Sequence, residues 1–267
     1  MRFTSRHSIA TALSVVTLML GSALSAQAQT TLAYWNFNDS TPASDTTQTQ
    51  LQGQLFSADG GVQSATAVIT SNFIAIDSGS GFGGSTTTGI NSFAGSTVNA
   101  LNGDGSLQAL ALQGSTTGGG ANANNGNYIQ FQISMTGFQA PTLSFATQRT
   151  STGFGTAANP NQLSYSTDGL SFTNLPTGSY IPAAAFALQT FDLSSVTSLN
   201  NASKAFFRIT FNGVSSNSGN NRFDNVQINA AVFSGGGGSA APEPGTIALL
   251  LSGAGTTGLA LLRRRKS

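Results

Sequence analysis

The 267-residue sequence has no cysteine. It therefore makes no disulfide, no thiolate nucleophile and no cysteine-ligated zinc site. Charge is nearly as scarce, with Asp, Glu, Lys and Arg together only 7% of the chain. There is one histidine, His7, and one glutamate, Glu243, and both stand in terminal segments. The body between residues 29 and 239 thus contains neither His, Cys nor Glu. A Ser-His-Asp triad, a His-ligated zinc and a Glu/Glu glycosidase pair cannot be assembled from it. Two aspartates could in principle act as acid and base. All eight in this body sit at or near turns, where Asp is favoured for backbone reasons, and no spacing singles out a pair. The expectation is a protein that is not an enzyme.

Basic surface is also missing. Arg149, Lys204, Arg208 and Arg222 are the only bases between residues 29 and 239. Set against eight aspartates, these four leave a net charge of −4, although the whole chain sums to +1. A weakly acidic body without a basic patch argues against nucleic acid as a partner.

The missing positive charge is at the two ends. Arg2 and Arg6 precede an apolar run over 9–20, and Ala26-Gln27-Ala28 supplies small residues at a cleavage site. This is the three-part order of a secretory signal peptide over residues 1–28, and the apolar run is too short for a stable span. At the other end a Gly/Ser linker, residues 234–241, leads into Pro242-Glu243-Pro244. Residues 246–262 then carry no formal charge, and Arg263-Arg264-Arg265-Lys266 follows. As a helix, 246–262 would reach about 25 Å, just short of a hydrocarbon core. Gly253, Gly255 and Gly258 are tolerated in such a helix, and the basic end stays cytoplasmic.

Pro-Glu-Pro, a short hydrophobic helix and a basic terminus, in that order, resemble the PEP-CTERM sorting signal of Gram-negative bacteria that make exopolysaccharide. The resemblance covers residues 242–267. It implies export, transient anchoring in the inner membrane, recognition by an exosortase at Pro242, Glu243 and Pro244 with Arg263, Arg264 and Arg265 behind them, and delivery to the cell surface or biofilm matrix. It assigns no activity to the body.

That body, residues 29–233, is rich in Gly, Ser, Thr, Asn and Gln, yet the chain carries 18 phenylalanines. A disordered chain of this polarity would lack that aromatic load. Short alternating segments recur: 31–38, 66–70, 73–76, 107–113, 128–135, 142–148, 162–167, 170–174, 188–193, 204–212 and 222–232. Ile129, Phe131, Ile133 and Met135 alternate with Gln130, Gln132 and Ser134, the pattern of a half-buried strand. Phe207, Ile209 and Phe211 alternate with Arg208 and Thr210 in the same way. Asp168-Gly169 between two such runs signals a hairpin. No helical period stands out between the two terminal signals. The fold class expected is all-β: a single antiparallel β-sandwich, jelly-roll-like, of roughly ten strands.

The closing segment 221–228, N-R-F-D-N-V-Q-I, resembles the last strand of jelly-roll carbohydrate-binding modules. In those modules the first and last strands lie together and share a structural calcium. The resemblance implies a calcium held by Asn38, Asp39 and Asp224, oxygen donors that suit a hard cation. The first strand departs from the pattern in carrying no Glu. Read by itself, Asp224 could equally cap a turn or pair with Arg222 or Arg208. Of the aromatics, Trp35 reads as core, while Tyr128 and Tyr165 read as strand residues opposite the apolar faces and so as candidate sugar platforms. The functional expectation is a structural or adhesive protein of the surface or matrix. The alternative is a carbohydrate-binding module that retains exopolysaccharide.

Overall fold

Side-chain alternation sorts the chain into two antiparallel sheets. The computed structural model describes residues 28–38, 56–73, 90–101, 103–114, 123–216 and 218–235. Of the expected signal peptide only Ala28 is described; the rest of it, with Ala26, and the sorting segment, Pro242 to Ser267, lie outside the described residues. The strands are β1 (Gln29–Trp35), β2 (Phe56–Ser57), β3 (Val68–Ser71), β4 (Ile90–Phe93), β5 (Ala109–Gln113), β6 (Tyr128–Ile133), β7 (Phe138–Arg149), β8 (Asn161–Ser166), β9 (Thr173–Tyr180), β10 (Ala187–Asp192), β11 (Ala205–Thr210) and β12 (Asn220–Val232). The expected strand at 73–76 does not begin at Phe73, which follows the end of β3 in irregular backbone, and 74–76 lie outside the described residues.

The first sheet runs β10-β7-β12-β5-β4, with β1 added beside β12. The second runs β2-β3-β6-β11-β8-β9. β12 is the organising strand of the first sheet. β7 pairs along nearly its whole length, while β5 takes Asn220 to Phe223 and β1 takes Val226 to Ala231 on the opposite edge. The first and last strands therefore do lie together. Between the β5 and β1 halves the register of β12 breaks at Asp224 and Asn225, and Asn225 adopts a left-handed φ of 50°.

One apolar core fills the space between the sheets. Trp35 of the first sheet meets Phe131 of the second with ring centroids 5.5 Å apart. Phe223 of the first meets Phe211, just past β11, edge-on at 5.5 Å. Phe145 meets Tyr180 at 5.9 Å. Such tilted and edge-on pairs contribute about 0.5–1.5 kcal/mol each beyond the area they bury. In a body with no disulfide, this phenylalanine-rich layer carries the stability.

Candidate functional site

The two sheets turn very different outer faces away from this core. On the first sheet, segment 94–101 crosses the outer surface at the point where β12 loses its register. Asp224, fully buried, accepts from the Ser96 N–H at 2.6 Å and from the Asn225 N–H at 2.9 Å. Asn225, also fully buried, donates from Nδ2 to the carbonyls of Ser96 and Val98. Its Oδ1 accepts from the Tyr34 hydroxyl at 2.8 Å. Asn99 donates to the Asn225 carbonyl, and Gln227 donates to the Asn99 carbonyl, each at 2.6 Å. Segment 94–101 is thus strapped down by side chains of β12 and β1 that supply the partners its backbone would otherwise lack. Gly95 is required here, because a Cβ would sit 2.6 Å from Asp224 Oδ2 and 2.5 Å from the Gln108 carbonyl.

Burial pushes the Asp224 carboxyl up to about 7, against the lowering pull of the Ser96 and Asn225 N–H groups, and the charge of Asp104 adds to the rise. Burial, above all, raises the Tyr34 phenol far beyond its ordinary range.

The expected calcium residues fall in this region. Asn38 donates to the Gly105 carbonyl and accepts from the Gln108 N–H. Asp39 lies outside the described residues. Both Asp224 oxygens already face backbone donors, and among the described residues no group of three or more acidic, His or Cys side chains converges to hold a metal. Asn38 and Asp224 therefore do not by themselves fit a calcium ion, which needs six to eight convergent oxygens.

On the second sheet the central outer face carries side chains rather than a crossing segment. Register sets three rows across it. Tyr128 faces Thr210, which faces Gln162; Thr70 faces Gln130, then Arg208, then Ser164; and Val68 faces Gln132, then Phe206, then Ser166. The Arg208 guanidinium lies 3.9 Å from the Tyr128 ring centroid and 3.5 Å from that of Phe172. Its Nε and Nη2 both donate to Gln130 Oε1, at 3.1 and 2.7 Å. Arg208 is thereby fixed between two rings and along one edge, a pre-organised fork in a half-buried setting. Burial lowers its pKa from the ordinary arginine value, and Tyr128 opposes that shift.

The β8–β9 loop places Phe172. Asp168 Oδ1 accepts from the Ser166 hydroxyl at 2.7 Å and from the Leu170 and Ser171 N–H groups at 2.8 Å. Those N–H groups and the Ser166 hydroxyl hold its carboxyl down to about 2. Gly169, at φ 74°, rests on the Phe206 ring, where a Cβ would come within 2.9 Å of Cζ. The loop therefore covers Phe206 and walls one side of the face. Beyond Phe206, at the same end of β6 and β11 as this loop, lies a groove of about 530 Å³ lined by Thr66, Val68, Gln132, Ser134 and Lys204.

Of the sugar platforms expected from sequence, Tyr128 is on this open face. Tyr165 is not. It pairs in register with Phe207 and packs, half-buried, against the core, because it shares the inward parity of Leu163. Tyr180 is buried against Phe145 and Phe191, and Trp35 is core as expected. Phe172 was not foreseen. The expected strand at 170–174 contained it, but it lies in the loop before β9, three residues past Gly169.

No protein-family model matches the chain, and no curated protein matches it. Among solved structures, the CBM22-1 xylan-binding domain from Paenibacillus barcinonensis aligns with 78% of this chain and 99% of its own, at 10% identity and a TM-score of 0.39. The CBM6cm-2 module of Cellvibrio mixtus lichenase 5A, in complex with cellotriose, aligns with 53% of this chain and 86% of its own, at 12% identity and a TM-score of 0.27. The K3 cleaved adhesin domain of Lys-gingipain from Porphyromonas gingivalis aligns with 48% and 75%, at 16% identity and 0.27. Scores of this size leave function to be read from this chain's own surface.

Proposed function

We propose that this chain is an exported, exosortase-processed protein of the cell surface or extracellular matrix whose sandwich binds polysaccharide on the open face of its second sheet. One observation carries the binding reading: Arg208 held rigid between Tyr128 and Phe172, with Gln130, on the outer face of the second sheet. Flat sugar rings are bound by aromatic side chains set beside a few fixed polar groups. The adjacency of β1 and β12 supports a jelly-roll arrangement of the strands. Export and processing rest on residues 1–28 and 242–267, and no catalysis is assigned.

Affinity electrophoresis tests the binding role. The full chain, in mild detergent, should be retarded in a gel containing exopolysaccharide from the producing cells. Unchanged mobility would leave a passive matrix role. The sorting role is tested separately. Deleting Pro242 to Pro244 should trap the protein in the inner membrane, and normal export of that variant would end the exosortase reading.

A further inference from the structure

We infer that the polysaccharide taken by this face is acidic, its carboxylates met by Arg208 and, further along the same face, by Lys204. The inference rests on the binding reading above and adds the class of ligand.

The geometry of Arg208 points this way. Gln130 Oε1 occupies the Nε and Nη2 side of the guanidinium. Nη1 has no partner among the described residues, and Nη2 keeps its second hydrogen. The end of the fork formed by Nη1 and Nη2 therefore keeps unspent hydrogens among the described residues, and that pair of parallel N–H groups matches the two oxygens of a carboxylate. Tyr128 and Phe172 lie against the guanidinium and fix the plane in which such a carboxylate must lie. Little ordering entropy then remains to be lost on binding.

Lys204 supplies the second contact. It precedes β11 with the outward parity of Phe206 and Arg208, is exposed, and lines the groove with Val68, Gln132 and Ser134. Four residues of extended chain separate it from Arg208 by about 13 Å, so the two cations would meet different residues of one extended glycan. Two of the four bases between residues 29 and 239 thus lie on one strand line, on either side of Phe206 and the loop that covers it. Among the described acids, three stand away from this face. Asp224 is bound into the first sheet, with Asp104 near enough to raise its pKa, and Asp192 ends β10 of that same sheet. Asp168 stands at the rim but directs Oδ1 into its own turn. In a body of net charge −4, such placement favours a carboxylate-bearing ligand on this face.

The probe is polygalacturonate, with its carboxyl-reduced counterpart, in which each carboxylate becomes a primary alcohol, as the neutral control. The full chain in mild detergent should be retained on polygalacturonate at least tenfold more strongly than on the reduced polymer. Raising salt from 50 to 500 mM should erase most of the difference. Arg208→Lys keeps the charge and loses the fork, and should weaken retention about tenfold; Lys204→Gln, at an exposed position, should weaken it about threefold. Each variant's melting temperature is read alongside, and Lys204→Gln should leave it unchanged. Equal retention on both polymers would overturn the acidic assignment and leave polysaccharide binding standing. Retention on neither polymer, with no shift in gels of xylan, cellulose derivatives or the producing cells' own exopolysaccharide, would overturn both.

Discussion

The outer faces of the two sheets use polar side chains in opposite ways. On the first, Asp224, Asn225, Tyr34 and Gln227 spend their hydrogen bonds on segment 94–101 or on one another, and the face is closed. On the second, Arg208, Gln130, Tyr128 and Phe172 engage one another and keep unspent edges towards solvent. Closing a face with uncharged amides, and with a carboxyl close to neutral, is a structural use of polarity. Holding a half-buried cation rigid while leaving donors free is, on the proposed binding reading, a recognition use. The difference teaches where substitutions should cost stability and where they should cost binding.

The largest effect is expected at Asn225. Its amide makes three hydrogen bonds with no exposure of its own, and removing it leaves the Ser96 and Val98 carbonyls and the Tyr34 hydroxyl short of a partner. Asn225→Ala should cost about 3–5 kcal/mol in urea unfolding and leave glycan retention unchanged. Asn225→Gly loses the same hydrogen bonds but relaxes the φ of 50°, so it should be the milder of the two. Equal costs would show that the left-handed backbone carries no strain.

Next comes pH. Folded Asp224 holds its proton up to about pH 7, against an ordinary value of 3.8. Its contribution to stability is thus complete below pH 3.8, declines as pH rises towards 7, and is lost above 7. The slope in that window is about 1.4 kcal/mol per pH unit, or about 2–3 kcal/mol between pH 5 and 7. Asp104 is the charge that faces it, Tyr34 stays neutral throughout, and the body has no histidine to titrate in the same window. Urea midpoints at pH 5 and 7 should differ in the native chain and coincide in Asp224→Asn. A native chain equally stable at both pH values would mean that the strap admits water to the carboxylate.

Smaller effects on stability, and larger ones on binding, belong to the open face. Arg208→Ala should cost about 1 kcal/mol or less in stability, as expected for a half-buried cation between rings, and abolish retention in the affinity gel. Phe172→Ala leaves Tyr128 on one side of the guanidinium and should weaken retention about threefold, with no change in urea midpoint beyond about 0.5 kcal/mol. A variant on this face that unfolded the protein while Asn225→Ala did not would reverse the assignment of roles.

Legibility from sequence divides along the same line. The outward set Tyr128, Gln130, Gln132 and the matching Arg208 and Thr210 follow from strict period-two alternation in β6 and β11, where one side is deeply apolar. The Asp168-Gly169 hairpin was legible from turn chemistry, but β9 starts later than 170 and runs on to Tyr180 through Pro176 and Gly178, residues that read as loop. Phe172 was misread as a strand residue of 170–174; it lies in the loop before β9, where no period says which way a ring points. Tyr165 was misplaced although Leu163, two residues before it, already marked its parity as inward. The strap was illegible for a deeper reason: its partners are backbone groups, which every sequence has, and only the chain's path brings them to Asp224 and Asn225.

The same contrast decides the smallest expected effect. A calcium ion bridging the first and last strands would use Asn38 and Asp224, yet Asn38 Oδ1 already accepts from the Gln108 N–H, and both Asp224 oxygens accept from the N–H groups of Ser96 and Asn225. A cation at Asp224 would draw its carboxyl far below 7, and with it abolish the pH dependence expected between pH 5 and 7. Chelation with EDTA should therefore leave the melting temperature within about 1 °C and leave the pH slope in place. A fall of several degrees, with the slope appearing only after chelation, would show that Asp39 completes a calcium site with these two residues, and that a metal rather than the proton on Asp224 closes this face.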